Sequence, residues 1–145
     1  MSFRKILIAL DESAFAARAA DVGFDLARSL GAEVALIHVV DPSLDAYAPE
    51  GGIPVHELVT MAQQDGKRLL AAFSQRAALQ PPPLEFTHVG KTASEIVKAA
   101  NEWPADLIVI GSHGRGGVER LLLGSVAESV TRHAPCPVLV VRGDE

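Results

Sequence analysis

Short apolar runs rich in β-branched residues alternate with longer amphipathic segments from one end of the chain to the other, and few folds accept that alternation. The apolar runs are Lys5 to Leu10, Glu33 to Val40, Leu84 to Val89, Asp106 to Ile110 and Val138 to Val141. Between them lie segments of helical period: Ser13 to Leu30, roughly Val55 to Leu79, Thr92 to Asn101 and about Ser125 to His133. Phe15, Ala19, Val22, Leu26 and Leu30 step by three or four, the spacing of one helix face, and Gly31 stands where a C-terminal cap belongs. Leu58, Met61, Leu69 and Phe73 mark one side of the second helix, and Pro81-Pro82-Pro83 prevents it from continuing. Thr92-Ala93-Ser94-Glu95 has capping-box spacing. Leu107-Ile108-Val109-Ile110 is a continuous apolar run, as expected of a strand covered on both faces.

Each connection is long enough to carry a helical crossover, so every strand is expected to be parallel. No linker divides the chain, and residues 1–145 read as one α/β domain. The expected architecture is an open, doubly wound, five-stranded parallel sheet with helices on both faces. Numbering the apolar runs along the chain, a central first strand gives the order 3-2-1-4-5. In such folds ligands sit beyond the carboxyl ends of the strands, where the winding reverses. Just past the first and fourth runs stand Asp11-Glu12 and Gly111-Ser112-His113-Gly114. An acid stands at one end and the densest glycine cluster at the other.

Composition removes several function classes. The chain is 48% hydrophobic and 21% charged, a globular balance, and its net charge of −5 comes from 13 basic and 18 acidic residues mixed along the length. No basic stripe exists, which argues against a nucleic-acid or anionic-membrane surface. The first apolar run is too short for a signal-peptide core, and no stretch approaches the length of a membrane span. The single cysteine, Cys136, has no disulfide partner within the chain, which fits a reducing compartment. A soluble, cytoplasmic protein is the expectation. Cys136 itself, between Pro135 and Pro137, has no adjacent base or cationic cluster and reads as a small buried hydrophobe.

Gly111-Ser112-His113-Gly114-Arg115-Gly116-Gly117 follows an apolar strand directly, and Gly124-Ser125 opens the next helix. Glycines there allow positive φ and let backbone N–H groups approach an anion. The helix start offers unsatisfied N–H groups and a partial positive charge to the same anion, and Arg115 and Arg120 can add cationic donors. Together these parts would cradle a polyphosphate. The competing reading is a plain glycine-rich connection capped by Ser125, with Glu128 completing a capping box.

Gly111-x-x-Gly114-x9-Gly124-Ser125 resembles the G-x2-G-x9-G-[ST] signature of the ATP-binding branch of the universal stress proteins. Ile6 to Ser13, His38 to Asp41 and Ala134 to Val141 are similar to the family's first strand and acidic turn, second-strand ending and closing strand. The resemblance thus covers the whole chain. It implies that Gly111, Gly114, Gly124, Ser125 and Val126 contact phosphates or ribose, mainly through backbone N–H groups. It implies that Val39 meets the adenine edge by its backbone, that Ala9 and Ile110 line the base, and that Asp11 bonds the ribose or orders a metal's water shell. Mg²⁺ or Mn²⁺ would be held chiefly by the phosphates. His113, inside the loop, could touch a phosphate or face solvent.

The strand Val138 to Val141 is a uniformly apolar edge in this order, and such edges invite pairing with another chain. A homodimer through it is expected, and the resemblance points the same way. The leading function is an ATP-binding stress or signalling protein in which nucleotide occupancy regulates a partner or assembly. Closure of the Asp41–Gly52 loop over the nucleotide is one way to couple the two. The alternatives are a slow ATPase or nucleotidyl transferase, and a nucleotide-independent interaction module. No catalytic base is recognisable, and the five histidines lack metal-ligand spacing. Gly90-Lys91-Thr92 looks like the end of a P-loop, but Glu85 stands where the Walker pattern needs glycine, so it is set aside as a phosphate site.

Overall fold

The computed structural model describes residues 2–43, 51–113 and 123–143. Its elements run β1 (Lys5–Ala9), α1 (Ala14–Leu30), β2 (Glu33–Val40), α2 (Val55–Ala77), β3 (Leu84–Val89), α3 (Thr92–Glu102), β4 (Leu107–Gly111), α4 (Ser125–His133) and β5 (Val138–Val141). The strands form one parallel sheet in the order β3-β2-β1-β4-β5, the order expected from the sequence.

β1 is central because nothing in it past Lys5 needs water. Ile6, Leu7 and Ile8 are fully buried, and their alternation feeds two cores. Ile6 and Ile8 join Phe24, Leu36, Leu70 and Val109 on the face covered by α1 and α2. Leu7 and Ala9 join Ile37, Ile96, Ile108 and Val130 on the face covered by α3 and α4. Each fully buried large aliphatic contributes about 1.5–3 kcal/mol over its exposed state, so the central strands anchor the molecule. The start of β1 is tied to its neighbour by Asp106, whose Oδ2 accepts from the backbone N–H groups of Arg4 (2.8 Å) and Lys5 (2.9 Å). Asp106 therefore precedes β4 instead of opening it.

The helices depart from expectation in their faces more than in their ends. On α1 the buried residues are Ala16, Ala19, Ala20, Gly23, Phe24 and Ala27, whereas Leu30 is 49% exposed and Phe15, Val22 and Leu26 are half-buried. The helix lies so close to the sheet that a Cβ at Gly23 would stand 2.5 Å from Ile8 Cδ1. Small residues make that approach possible, and the larger apolar side chains flank the contact. On α2 the buried residues are Gly66, Leu70 and Ala77, and Met61 is 55% exposed. That helix ends at Ala77 because Ala78 turns left-handed (φ 50°) ahead of the proline run. Gly31 caps α1 in the left-handed conformation (φ 64°), as its position predicts. No described helix is long and apolar enough to cross a membrane.

Candidate functional site: a cleft at the carboxyl ends of the strands

The carboxyl ends of β2, β1 and β4 open beneath the N-terminal ends of α3 and α4, leaving a cavity of about 430 Å³. Volumes of this order hold small organic ligands. Ala9, Ile37, Val39, Ile96 and Ile110 give it apolar walls, and Asp11, Glu12 and Ser13 form the edge at the turn into α1.

α4 begins at the cleft without a side-chain cap. Its N-cap is Gly124, with φ −68° and ψ 161°, and neither Ser125 nor Glu128 closes a capping box. The backbone N–H of Glu128 instead donates to the Gly124 carbonyl (2.9 Å), and its carboxylate pairs with Arg132 (2.6 Å). The N–H groups of Ser125, Val126 and Ala127 belong to the first turn, which has no intrahelical acceptors, and all three residues line the cleft. An uncapped helix start facing a cavity presents donors and a partial positive charge to whatever enters.

Gly111 and Gly124 are glycines for a reason other than the positive φ expected. Gly111 lies within β4, and a Cβ there would stand 2.9 Å from Phe15 Cβ and 3.0 Å from the Phe15 carbonyl oxygen. A Cβ at Gly124 would stand 3.0 Å from the Ser112 carbonyl oxygen and 3.2 Å from His113 Cα. That closeness holds the two ends of the glycine-rich segment together: the Gly124 N–H donates to the Ser112 carbonyl at 2.7 Å. The Ser112 N–H donates in turn to Val141 on β5 at 2.8 Å. His113 is buried, its Nδ1 3.2 Å from Ser112 Oγ and its ring 5.3 Å from that of Phe15.

Ala9, Asp11, Val39, Ile110, Gly111, His113, Gly124, Ser125 and Val126 all line this one cleft. Gly114 and Arg115 lie outside the described residues, as do Arg120 and most of the Asp41–Gly52 loop. Asp11 is held in a tight turn, its Oδ1 accepting from the Ser13 N–H at 2.8 Å, while Ser13 caps α1 through the Ala16 N–H at 3.3 Å.

Several lining residues gave no usable signal in the sequence. His38 sits in a strand that is otherwise apolar from Val34 to Val40 and is 7% exposed. Its Nδ1 lies 2.9 Å from the Leu10 carbonyl, which can only accept, so Nδ1 carries the proton. Gly66 on α2 leaves room for that ring. Lys91 and Thr92, set aside on motif grounds, line the α3 side. Cys136 is away from the cleft and packs against the α3/α4 core; burial raises its thiol above the ordinary value, and the negative charge of Asp106 adds to the effect. It is held as the neutral thiol, in keeping with a packing role.

The model of the universal stress protein family matches residues 2–142. Universal stress protein MJ0531 of Methanocaldococcus jannaschii is 38% identical, over 97% of this chain and 82% of that one. Among solved structures, the universal stress protein UspA from Lactobacillus plantarum superposes with a TM-score of 0.85 at 28% identity, covering 98% of this chain and 99% of its own. A universal stress protein solved in complex with cAMP shares the fold, with a TM-score of 0.72 at 24% identity over 99% and 100% of the two chains.

Proposed function

The chain belongs to the universal stress protein family, and on that premise we propose that it binds ATP in the cleft between α3 and α4 and that occupancy regulates a partner or its own assembly. The observation that carries this reading is the uncapped first turn of α4, whose residues line a cavity that Gly111 and His113 line as well. The cAMP complex of a protein with this fold supports the ligand class for that protein's architecture.

In this reading the phosphates lie against the N–H groups of Ser125 and Val126, beside Gly111, His113 and Gly124, with Gly114 and Arg115 completing the loop. The adenine lies over Ala9 and Ile110, its edge against the Val39 backbone. Asp11, at the lip, takes the ribose hydroxyls or a metal-bound water. Among the described residues no group of three or more His, Cys, Asp or Glu could hold a metal. Mg²⁺ or Mn²⁺ would be held chiefly by the phosphates, with water completing its shell, as these ions commonly are at nucleotides. The protein acts in the cytoplasm as a homodimer joined through β5, whose strand Val138–Val141 is apolar throughout.

Calorimetric titration of nucleotide-free protein with Mg-ATP tests the binding step. Saturable 1:1 heat that disappears when ATP is replaced by inorganic phosphate alone is the expected result. Absence of heat at millimolar ATP would replace this reading with a nucleotide-independent interaction module.

A further inference from the structure

Lys91 and Thr92 occupy a position that the nucleotide reading has not used. β3 ends beside β2, with Val89 opposite Val40, and the Gly90 N–H donates to the Val40 carbonyl at 2.9 Å. The chain turns at Gly90 with φ 155°, where a Cβ would stand 2.9 Å from the Glu95 side chain, and Lys91 follows directly as the N-cap of α3. The cap uses no side chain, so the expected Thr92–Glu95 capping box is absent. Glu95 instead meets His88, Oε1 to Nδ1, at 3.1 Å. Lys91 and Thr92 line the cleft, and neither side chain has a hydrogen bond or ion pair with a described residue. Among the described lining residues Lys91 is the one lysine or arginine, against Asp11, Glu12 and Asp41.

Placement decides what this cation can reach. α3 starts next to the end of β2, where Val39 lies, whereas the phosphate end of the cleft is at α4. Lys91 therefore flanks the base. An ammonium donates hydrogen bonds and accepts none. The guanine edge bearing O6 and N7 offers two acceptors, whereas the matching adenine edge offers N7 and the N6 donor, which suits an amide side chain better. We propose that Lys91, assisted by the Thr92 hydroxyl, is a base-selecting residue of this cleft that admits guanine nucleotides alongside adenine nucleotides. This inference rests on the nucleotide reading of the same cavity.

The test is calorimetric titration of Mg-ATP and Mg-GTP into wild type, Lys91→Met and Lys91→Gln. Lys91 is exposed and unpaired among the described residues, so both variants should melt with the wild type. Wild type is expected to bind GTP within about tenfold of ATP. Lys91→Met should lose about tenfold in GTP affinity with ATP changed less than about threefold, the scale of one lost base-edge pair. Lys91→Gln should tilt the ratio toward ATP. An ATP-to-GTP ratio unchanged in both variants overturns the inference, as does wild type that binds ATP but excludes GTP by more than about a hundredfold. Wild type that binds neither nucleotide overturns the reading of the cleft itself, and the inference with it.

Discussion

At Gly124 a single methyl group would stand 3.0 Å from one backbone oxygen and 3.2 Å from a neighbouring Cα, so the strain of adding it falls on the main chain. Gly124→Ala should cost about 1–3 kcal/mol, the usual range for overpacking, measured as a lower urea midpoint with an unchanged slope. Gly66→Ala should cost a similar amount by another route, because the added Cβ would overlap the His38 ring and break its hold on the Leu10 carbonyl. Cys136 gives a chemical check: with the thiol raised by burial, less thiolate is present near neutral pH than in a free cysteine. Alkylation by iodoacetamide should be correspondingly slow and should accelerate as pH rises or the fold is loosened by urea. At this scale the sequence was only partly legible. The glycine spacing marked Gly111 and Gly124, but it suggested positive φ where the structure shows close approach. His38 and its partner Gly66 are remote in sequence, and no local pattern joins them.

Helix starts and helix faces decide what each element contributes. Ser125 is exposed at the first position of α4 and does no capping, so a carboxylate there meets the positive end of the helix dipole. Ser125→Glu should leave stability unchanged or raise it by about 0.3–1 kcal/mol while placing negative charge where the phosphates would lie. Element order and strand ends were legible because apolar runs and helical period differ in length and composition: β3, α4 and β5 fall where the sequence places them. The faces of α1 and α2 were legible only in part: Ala19 is buried and Val22, Leu26 and Phe73 pack against the core, but the closest contacts were not foreseen. Hydrophobicity favours large side chains, whereas α1 meets the sheet through alanines and Gly23, and Met61 on α2 is mostly exposed. Both capping boxes looked complete in the sequence and neither forms, since Lys91 and Gly124 take the N-cap positions. Spacing alone does not reveal that the Gly124 N–H is tied to the Ser112 carbonyl and the Gly90 N–H to that of Val40.

Across the whole molecule, strand order follows from which run can tolerate burial on both sides, and β1 with its neighbour β4 meets that condition. The outer strands differ in how they meet water. β3 carries Glu85 exposed and follows a proline run, features that discourage pairing, while β5 is Val138-Leu139-Val140-Val141 with no charge. Light scattering at micromolar concentration should give a mass of two chains, and a monomeric mass would rule out the β5 dimer. The position of the cleft was legible before the walls were, because the reversal of winding between β1 and β4 locates it without any side chain. Its α3 wall was not, because Gly90-Lys91-Thr92 fails the P-loop pattern and no other local signal marks Lys91 and Thr92.

The central claim, that the α4 end of the cleft receives nucleotide phosphates, is tested most directly by thermal unfolding of nucleotide-free wild type and Ser125→Glu with and without Mg-ATP. A ligand at about a hundred times its Kd stabilises the native state by about 2.7 kcal/mol, several degrees for a chain of this length. That shift is expected in wild type and should be lost in Ser125→Glu, whose own melting temperature equals or exceeds that of wild type. An equal shift in both proteins, or none in wild type, would contradict the claim.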